Sequence, residues 1–154
     1  MAYLEDQLKE LIGKFEEHKI EYALCGGLAM AVHGLPRATV DLDFLIEPAS
    51  WVRVEEVGDK LGFILKASPM SFAQGSIEIR RISKIDPDQN VLTLDALLVT
   101  PAIADVWASR QQIPWENGKI WVVSREGLIK LKRMSGRPQD NADISRLESL
   151  GNES

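Results

Sequence analysis

Two acids, Asp41 and Asp43, stand one residue apart at the end of a stretch that reads YALCGGLAMAVHGLPRATVDLDFLIE from Tyr22 to Glu47. In an extended chain side chains alternate, so Asp41, Asp43 and Leu45 share one face and Val40, Leu42, Phe44 and Ile46 the other. Side-by-side carboxylates on a mostly buried strand repel, which raises the proton affinity of the pair unless a cation neutralises them. Hard oxygen ligands of this kind suit a magnesium ion, or manganese in its place. The plainer alternative is an edge strand whose acids face water. Upstream, Gly26 and Gly27 interrupt an apolar run and precede a short helix from Leu28 to His33. Such a turn lets the backbone approach a ligand closely, and the free amides of the first helical turn favour an anion, so both glycines are candidate phosphate contacts.

A third acid lies far off in sequence. VLTLDALLV, from Val91 to Val99, is the most apolar strand pattern in the chain and is expected to lie centrally, yet it contains Asp95. Burying a lone carboxylate costs several kcal/mol unless something pairs with it. Either a lysine or arginine from elsewhere serves, or the same cation that Asp41 and Asp43 hold; three acids would complete a two-metal phosphoryl site. Basic groups are placed to oppose them. Arg37 sits just ahead of the acidic strand, as a surface arginine or a phosphate contact. Between Lys119 and Arg137 stand Lys119, Arg125, Lys130, Lys132, Arg133 and Arg137 against the single acid Glu126, either a solvated helix face or a surface for an anionic substrate.

Several elements must position these groups. Leu4, Leu8, Leu11, Ile12 and Phe15 recur at helical spacing and predict an amphipathic helix over residues 3 to 18. Gly34 and Pro36 end the short helix after His33. Pro48 blocks further strand pairing, and Ser50 can cap a helix to about Leu61 with Trp51, Val54 and Val57 inward. Phe63 to Lys66 reads as a short strand and Ser68 to Gly75 as loop. SIEIRRISK, residues 76 to 84, reads as a strand leading through a turn at Asp86 to Asn90 into the Asp95 strand, a hairpin. Ser124 can cap a helix that buries Leu128, Ile129 and Leu131, and Gly136 with Pro138 separates it from a second helix running to Leu150.

The composition excludes several classes. With 154 residues, 45% hydrophobic and 27% charged, the chain reads as one ordinary globular domain. No stretch approaches the ~20 apolar residues of a membrane span, and MAYLEDQLKE lacks a secretory pattern, so a cytoplasmic location is the default expectation, with no membrane partner. The lone Cys25 excludes an intramolecular disulfide and reads as a small core residue. His18 and His33 close their helices without metal-ligand partners at useful spacing. A formal net charge of -5 argues against a generally basic nucleic-acid-coating surface.

Taken together, an apolar strand, Gly-Gly, a short helix, Asp-x-Asp with thirteen residues between the second glycine and the first acid, and a later Asp on an apolar strand resemble the nucleotidyltransferase superfamily with the DNA polymerase beta-like fold. GGLAMAVHGLPRATVDLDFLI is most similar to the AbiEii-type and related minimal bacterial nucleotidyltransferases. The resemblance implies an α+β (α/β) fold, a mixed β-sheet flanked by helices with a C-terminal helix pair. It implies one domain over 1-150, with a core of 1-123 and helices over 124-150. It also implies a metal-dependent transfer of an NMP group from an NTP to an acceptor hydroxyl, with release of pyrophosphate. Asp41, Asp43 and Asp95 would then be catalytic and hold two Mg2+ ions, or Mn2+. Gly26, Gly27, Arg37, Lys132 and Asp143 would bind the nucleotide and its phosphates, while Arg137 and Asp140 organise the helix pair. SREGLIKLKRMSGRPQDNADISRL resembles the family's C-terminal segment. The acceptor is left open: a tRNA or other RNA end, a small molecule or a protein. At this length it must be small, fit a shallow groove, or be met by an oligomer. The rival reading is a non-catalytic nucleotide-binding or antitoxin-like interaction protein that keeps the fold.

Overall fold

The structure is a computed structural model that describes residues 2–35 and 41–152. The amphipathic N-terminal pattern forms helix α1 (Ala2–Glu17), whose Leu8, Leu11, Ile12 and Phe15 are buried. The apolar run becomes strand β1 (Ala23–Cys25), which passes directly into the short helix α2 (Gly26–Val32). Strand β2 (Asp41–Ile46) carries the acidic pair and is followed by a 3-10 turn, Pro48–Ser50, and helix α3 (Trp51–Lys60). Ser50 precedes that helix but its hydroxyl makes no cap hydrogen bond, because the 3-10 turn already delivers the chain in helical conformation.

The middle of the chain builds one wing of the sheet. The expected strand from Phe63 shrinks to β3 (Leu65–Lys66), since Phe63 itself is fully buried as a core plug. Part of the expected loop forms a further strand, β4 (Met70–Phe72). Strands β5 (Ile77–Ile85) and β6 (Val91–Leu98) form the anticipated hairpin. The Asp86 carboxylate closes its turn by accepting the N–H groups of Asp88 and Asn90. Next come helix α4 (Ala104–Ala108) and a second hairpin, β7 (Gln111–Trp115) and β8 (Gly118–Val122). Helices α5 (Arg125–Ser135) and α6 (Pro138–Asn152) end the described chain.

All the strands belong to one mixed sheet in the order β3-β5-β6-β2-β1-β8-β7, with β4 also paired to β5. β2 therefore lies inside the sheet, parallel to β6 and antiparallel to β1. That position removes the edge-strand alternative for the acidic pair. On the face away from the acids, Phe44 packs edge-on against Phe15 and Tyr22, at centroid separations of 5.2 and 5.9 Å. The alternation that buries Phe44 on α1 is what turns Asp41 and Asp43 to the other side. No described helix is long and apolar enough to cross a membrane.

Candidate functional site

The register of the central strands gathers the acids. Cys25 of β1 is opposite Asp43 of β2, Asp43 is opposite Asp95 of β6, and Asp95 is opposite Arg81 of β5. Directly opposed residues share a face, so these four side chains form a row across adjacent strands. Asp41 lies one pleat further along, opposite Thr93, whose hydroxyl contacts that of Ser83 at 3.3 Å.

Charge is concentrated where the sheet is least able to solvate it. Burial first, and then the neighbouring Asp95 and Asp41, push the Asp43 carboxyl up to about 7, against the lowering influence of Lys132 and Arg137. Asp41 is also raised, first by burial and then by Asp95, while Arg81 and Arg137 oppose the shift. This is the repulsive pair anticipated from the alternation. The Cys25 thiol is held well above its ordinary range by burial and by Asp43 and Asp95, which fits a core residue rather than a nucleophile.

The glycine turn has a structural role that its sequence did not reveal. Gly26 takes a φ of +68°, and a Cβ there would run into the Asp43 carboxylate. The residue must be glycine to let β1 turn into α2 over that acid. Gly27 is buried in the first turn of α2. At the other end of α2 the His33 Nε2–H donates to the Val123 carbonyl at 2.8 Å, a tie between α2 and the end of β8. Arg37 lies outside the described residues.

The C-terminal helices bring the opposing charge. Ser124 caps α5, its Oγ accepting the Gly127 N–H at 3.1 Å, and Gly136, at φ +67°, ends it. Lys132, on the inner face of α5, is buried and donates to Asp143 at 3.0 Å, with Asp140 3.8 Å away. Its charge reaches both Asp43 and Cys25. Asp140 accepts the Arg137 backbone N–H and Nε–H, both at 3.1 Å, pinning the start of α6 as the third helical residue of a capping box does. Three more of the basic run are spent locally: Lys130 on Asp105, Arg125 on Glu126, Arg133 on Glu148. The run forms no open cationic face of six residues.

The partner of Asp95 is an arginine. Arg81 forks onto it, Nε–H donating to Oδ1 at 2.7 Å and Nη2–H to Oδ2 at 2.9 Å. Sequence reasoning weighed a basic side chain against a cation shared with Asp41 and Asp43 and favoured the cation, and Arg81 was not singled out. The signal was there, because stepping back equally on both arms from the Asp86–Asn90 turn sets residue 81 against residue 95. With both Asp95 oxygens engaged, no three His, Cys, Asp or Glu side chains among the described residues converge as a metal site. Carboxylates such as Asp41, Asp43 and Asp95 are of the donor chemistry that would suit a hard divalent cation. A cavity of about 580 Å3 lies elsewhere, at the opposite end of β1, lined by Tyr22, Glu47, Arg110 and Trp121. The acids sit instead on a partly open sheet face.

Solved structures share this architecture. The protein TM1012 of Thermotoga maritima superposes with a TM-score of 0.65 at 16% identity, covering 99% of this chain and 94% of that one. The lincosamide antibiotic adenylyltransferase LnuA, solved with lincomycin, gives 0.61 at 18% identity over 95% and 97% of the two chains. ANT(2")-Ia in complex with adenylyl-2"-tobramycin gives 0.64 at 14% identity over 99% and 92%. At these identities the likeness is one of fold. No curated protein sequence matches the chain. Residues 11–114 match the family described as the nucleotidyl transferase AbiEii toxin of type IV toxin–antitoxin systems, a span that holds Gly26, Gly27, Asp41, Asp43 and Asp95 and covers well over half of the chain. The chain belongs to the AbiEii family of nucleotidyl transferases.

Proposed function

We propose that this protein transfers an NMP group from an NTP to an acceptor hydroxyl and releases pyrophosphate. The observation that carries the reading is the row of acids, Asp43 abreast of Asp95 with Asp41 one pleat away, opposed by the buried ammonium of Lys132. Asp41 and Asp43 would hold divalent cations together with Asp95. Such ions, when bound, neutralise the triphosphate and lower the pKa of the attacking hydroxyl. The protein's own part is positioning and electrostatics. Lys132 and Arg137 supply positive charge on the side of α5 and α6, and Gly26 holds its backbone tight against Asp43. Arg37 and the α2 amides are assigned to the leaving phosphates. Asp143, accepting from Lys132 at 3.0 Å, and Asp140, 3.8 Å away, fix the position of its ammonium.

The acceptor class follows from neither the fold nor the charges. The adenylyltransferases of like fold modify antibiotics, and the family is described as a toxin, so small molecules, RNA ends and proteins all belong in the assay. The test is incubation of labelled ATP, CTP, GTP and UTP with Mg2+ or Mn2+ and each acceptor class. Transfer by the wild type and none by Asp41→Ala, at equal folding, is the expected result. No labelled product and no metal-dependent nucleotide binding would sink the enzyme reading. One observation favours the non-catalytic alternative: Asp95 has a protein partner of opposite charge in Arg81. Calorimetric binding of NTP without turnover would select that alternative.

A further inference from the structure

Arg81 and Asp95 are placed by the sheet rather than by chance side-chain reach. Antiparallel register sets them directly opposite on β5 and β6, and the guanidinium fork takes both carboxylate oxygens in near-ideal lengths of 2.7 and 2.9 Å. The two ends of the pair differ in environment. The Asp95 side chain is 14% exposed, whereas that of Arg81 is 42% exposed, so the arginine has a route to solvent that crosses no packed core. The next residue in the row, Asp43, has no room to move toward β1, because Gly26 is packed against its carboxylate. Of the side chains in this row the one built to leave is Arg81.

The guanidinium fork takes the inward-facing lone pair of each Asp95 oxygen, the same pair a divalent cation would use to chelate that carboxylate, so the two compete for it. Two positive groups on one acid would also repel at contact distance. The consequence depends on the proposed function, in which Asp95 joins Asp41 and Asp43 as a ligand. We propose that Arg81 is a positioning residue that holds Asp95 in the cation-free protein, and that the cation at Asp95 binds only as the fork opens and the Arg81 side chain swings out. The charge of the row is thereby kept low before the substrate metal arrives, and Asp95 is delivered in one rotamer. It also orders the filling of the site. A cation that reaches Asp95 competes with Arg81, whereas one held by Asp41 and Asp43 does not displace the fork. The released guanidinium stays on the open face of β5, within reach of an anionic ligand bound over the acids.

The test uses the intact wild-type protein, with metal rather than turnover as the readout. In 15N–1H NMR the Arg81 Nε–H, assigned by its loss in Arg81→Lys, is expected to be protected from exchange without metal. It should lose that protection as Mg2+ saturates the site. In parallel, calorimetry of Mn2+ binding should show the weaker of two steps tightened roughly ten-fold in Arg81→Ala, the scale of freeing one partly exposed charged pair. Arg81→Lys, which keeps the charge but not the fork, should fall between. If Mg2+ shifts the Asp41 and Asp43 amides while the Arg81 Nε–H stays protected, the proposal is overturned and the metal reading of Asp41 and Asp43 stands. The same holds if Arg81→Ala binds Mn2+ no more tightly than the wild type. If neither wild type nor variant binds either ion, the cation reading itself falls and this proposal with it. The NMR measurement needs no substituted protein beyond the assignment, so poor folding of Arg81→Ala leaves the decision intact.

Discussion

Asp43 and Gly26 are locked to each other, and each explains the other's identity. The carboxylate is part-buried and pressed by Asp41 and Asp95, and Lys132 and Arg137 offset only part of this, so the fold bears an electrostatic cost there. Asp43→Asn relieves that cost while keeping the shape. The variant is expected to lose nucleotidyl transfer and to gain on the order of 1–3 kcal/mol of stability in chelator-containing buffer at neutral pH, read as a higher urea midpoint. A lower midpoint would show that the carboxylate is already compensated. Gly26 gives the complementary case. Alanine there must adopt φ +68° and drive its Cβ into Asp43, so Gly26→Ala should cost about 2–4 kcal/mol. Gly34 also has a positive φ, +90°, but no atom of the described residues lies within 4 Å of where its Cβ would stand, so Gly34→Ala should cost only about 1 kcal/mol. Equal midpoints for the two alanine variants would refute the packing account of Gly26.

At the scale of elements, the site depends on how α5 and α6 are fastened. Asp140 is the fastener, with a side chain only 1% exposed beside Lys132 and Arg137. Burial alone would raise its carboxyl, but hydrogen bonds from Arg137 and Ser135 and the Arg137 charge outweigh it, so it ends below the usual range. A carboxyl lowered by folding stabilises the protein above its unfolded pKa of about 3.9. That contribution disappears as pH falls through the lower, folded value. Asp140→Asn should therefore cost roughly 3–5 kcal/mol at pH 7, and the gap to wild type should narrow as the pH is taken below about 4. A gap that stayed constant with pH would assign the loss to packing instead. These helices were legible in the sequence because Ser124, Gly136 and Pro138 punctuate an apolar period. β2 and β6 were legible too, since alternation with an acid inside it has few solutions. The β7 and β8 hairpin was not: Pro114 breaks the strand pattern, and a proline is tolerated there only because β7 is the sheet's edge. Lys132 was legible as a charge but not as a buried one, since its two acids come from the next helix. Arg81 was hidden for a related reason, since SIEIRRISK shows an ordinary polar face until register sets it against Asp95.

For the whole molecule, the topology ties the ends of the chain to its middle. β8 pairs in parallel with β1, so the strand leading into α5 is hydrogen-bonded beside the glycine turn, and Val123 adds two bonds, its N–H donating to the Leu24 carbonyl and its carbonyl accepting from His33. Leu128, Ile129, Ile144 and Leu147 belong to the same core cluster as Leu24 and Phe44. A division into a core of 1-123 and an appended helix pair is therefore expected to be one of description, not of folding. Unfolding should be a single cooperative transition. Two probes can be compared in one urea titration: fluorescence of Trp51, Trp107, Trp115 and Trp121, which lie in the sheet half, and far-UV circular dichroism, to which α5 and α6 contribute much of the helix signal. Coincident midpoints are expected. A chain ended after Ser135 should lose cooperative unfolding altogether, because it strips the apolar cover from Leu128 and Ile129 and leaves the Lys132 ammonium buried without Asp140 or Asp143. If the helical signal melted first and the tryptophan signal persisted, α5 and α6 would be a separable unit. Lys132 would then reach the acids only while that unit is docked, and nucleotidyl transfer would fail before the sheet unfolds.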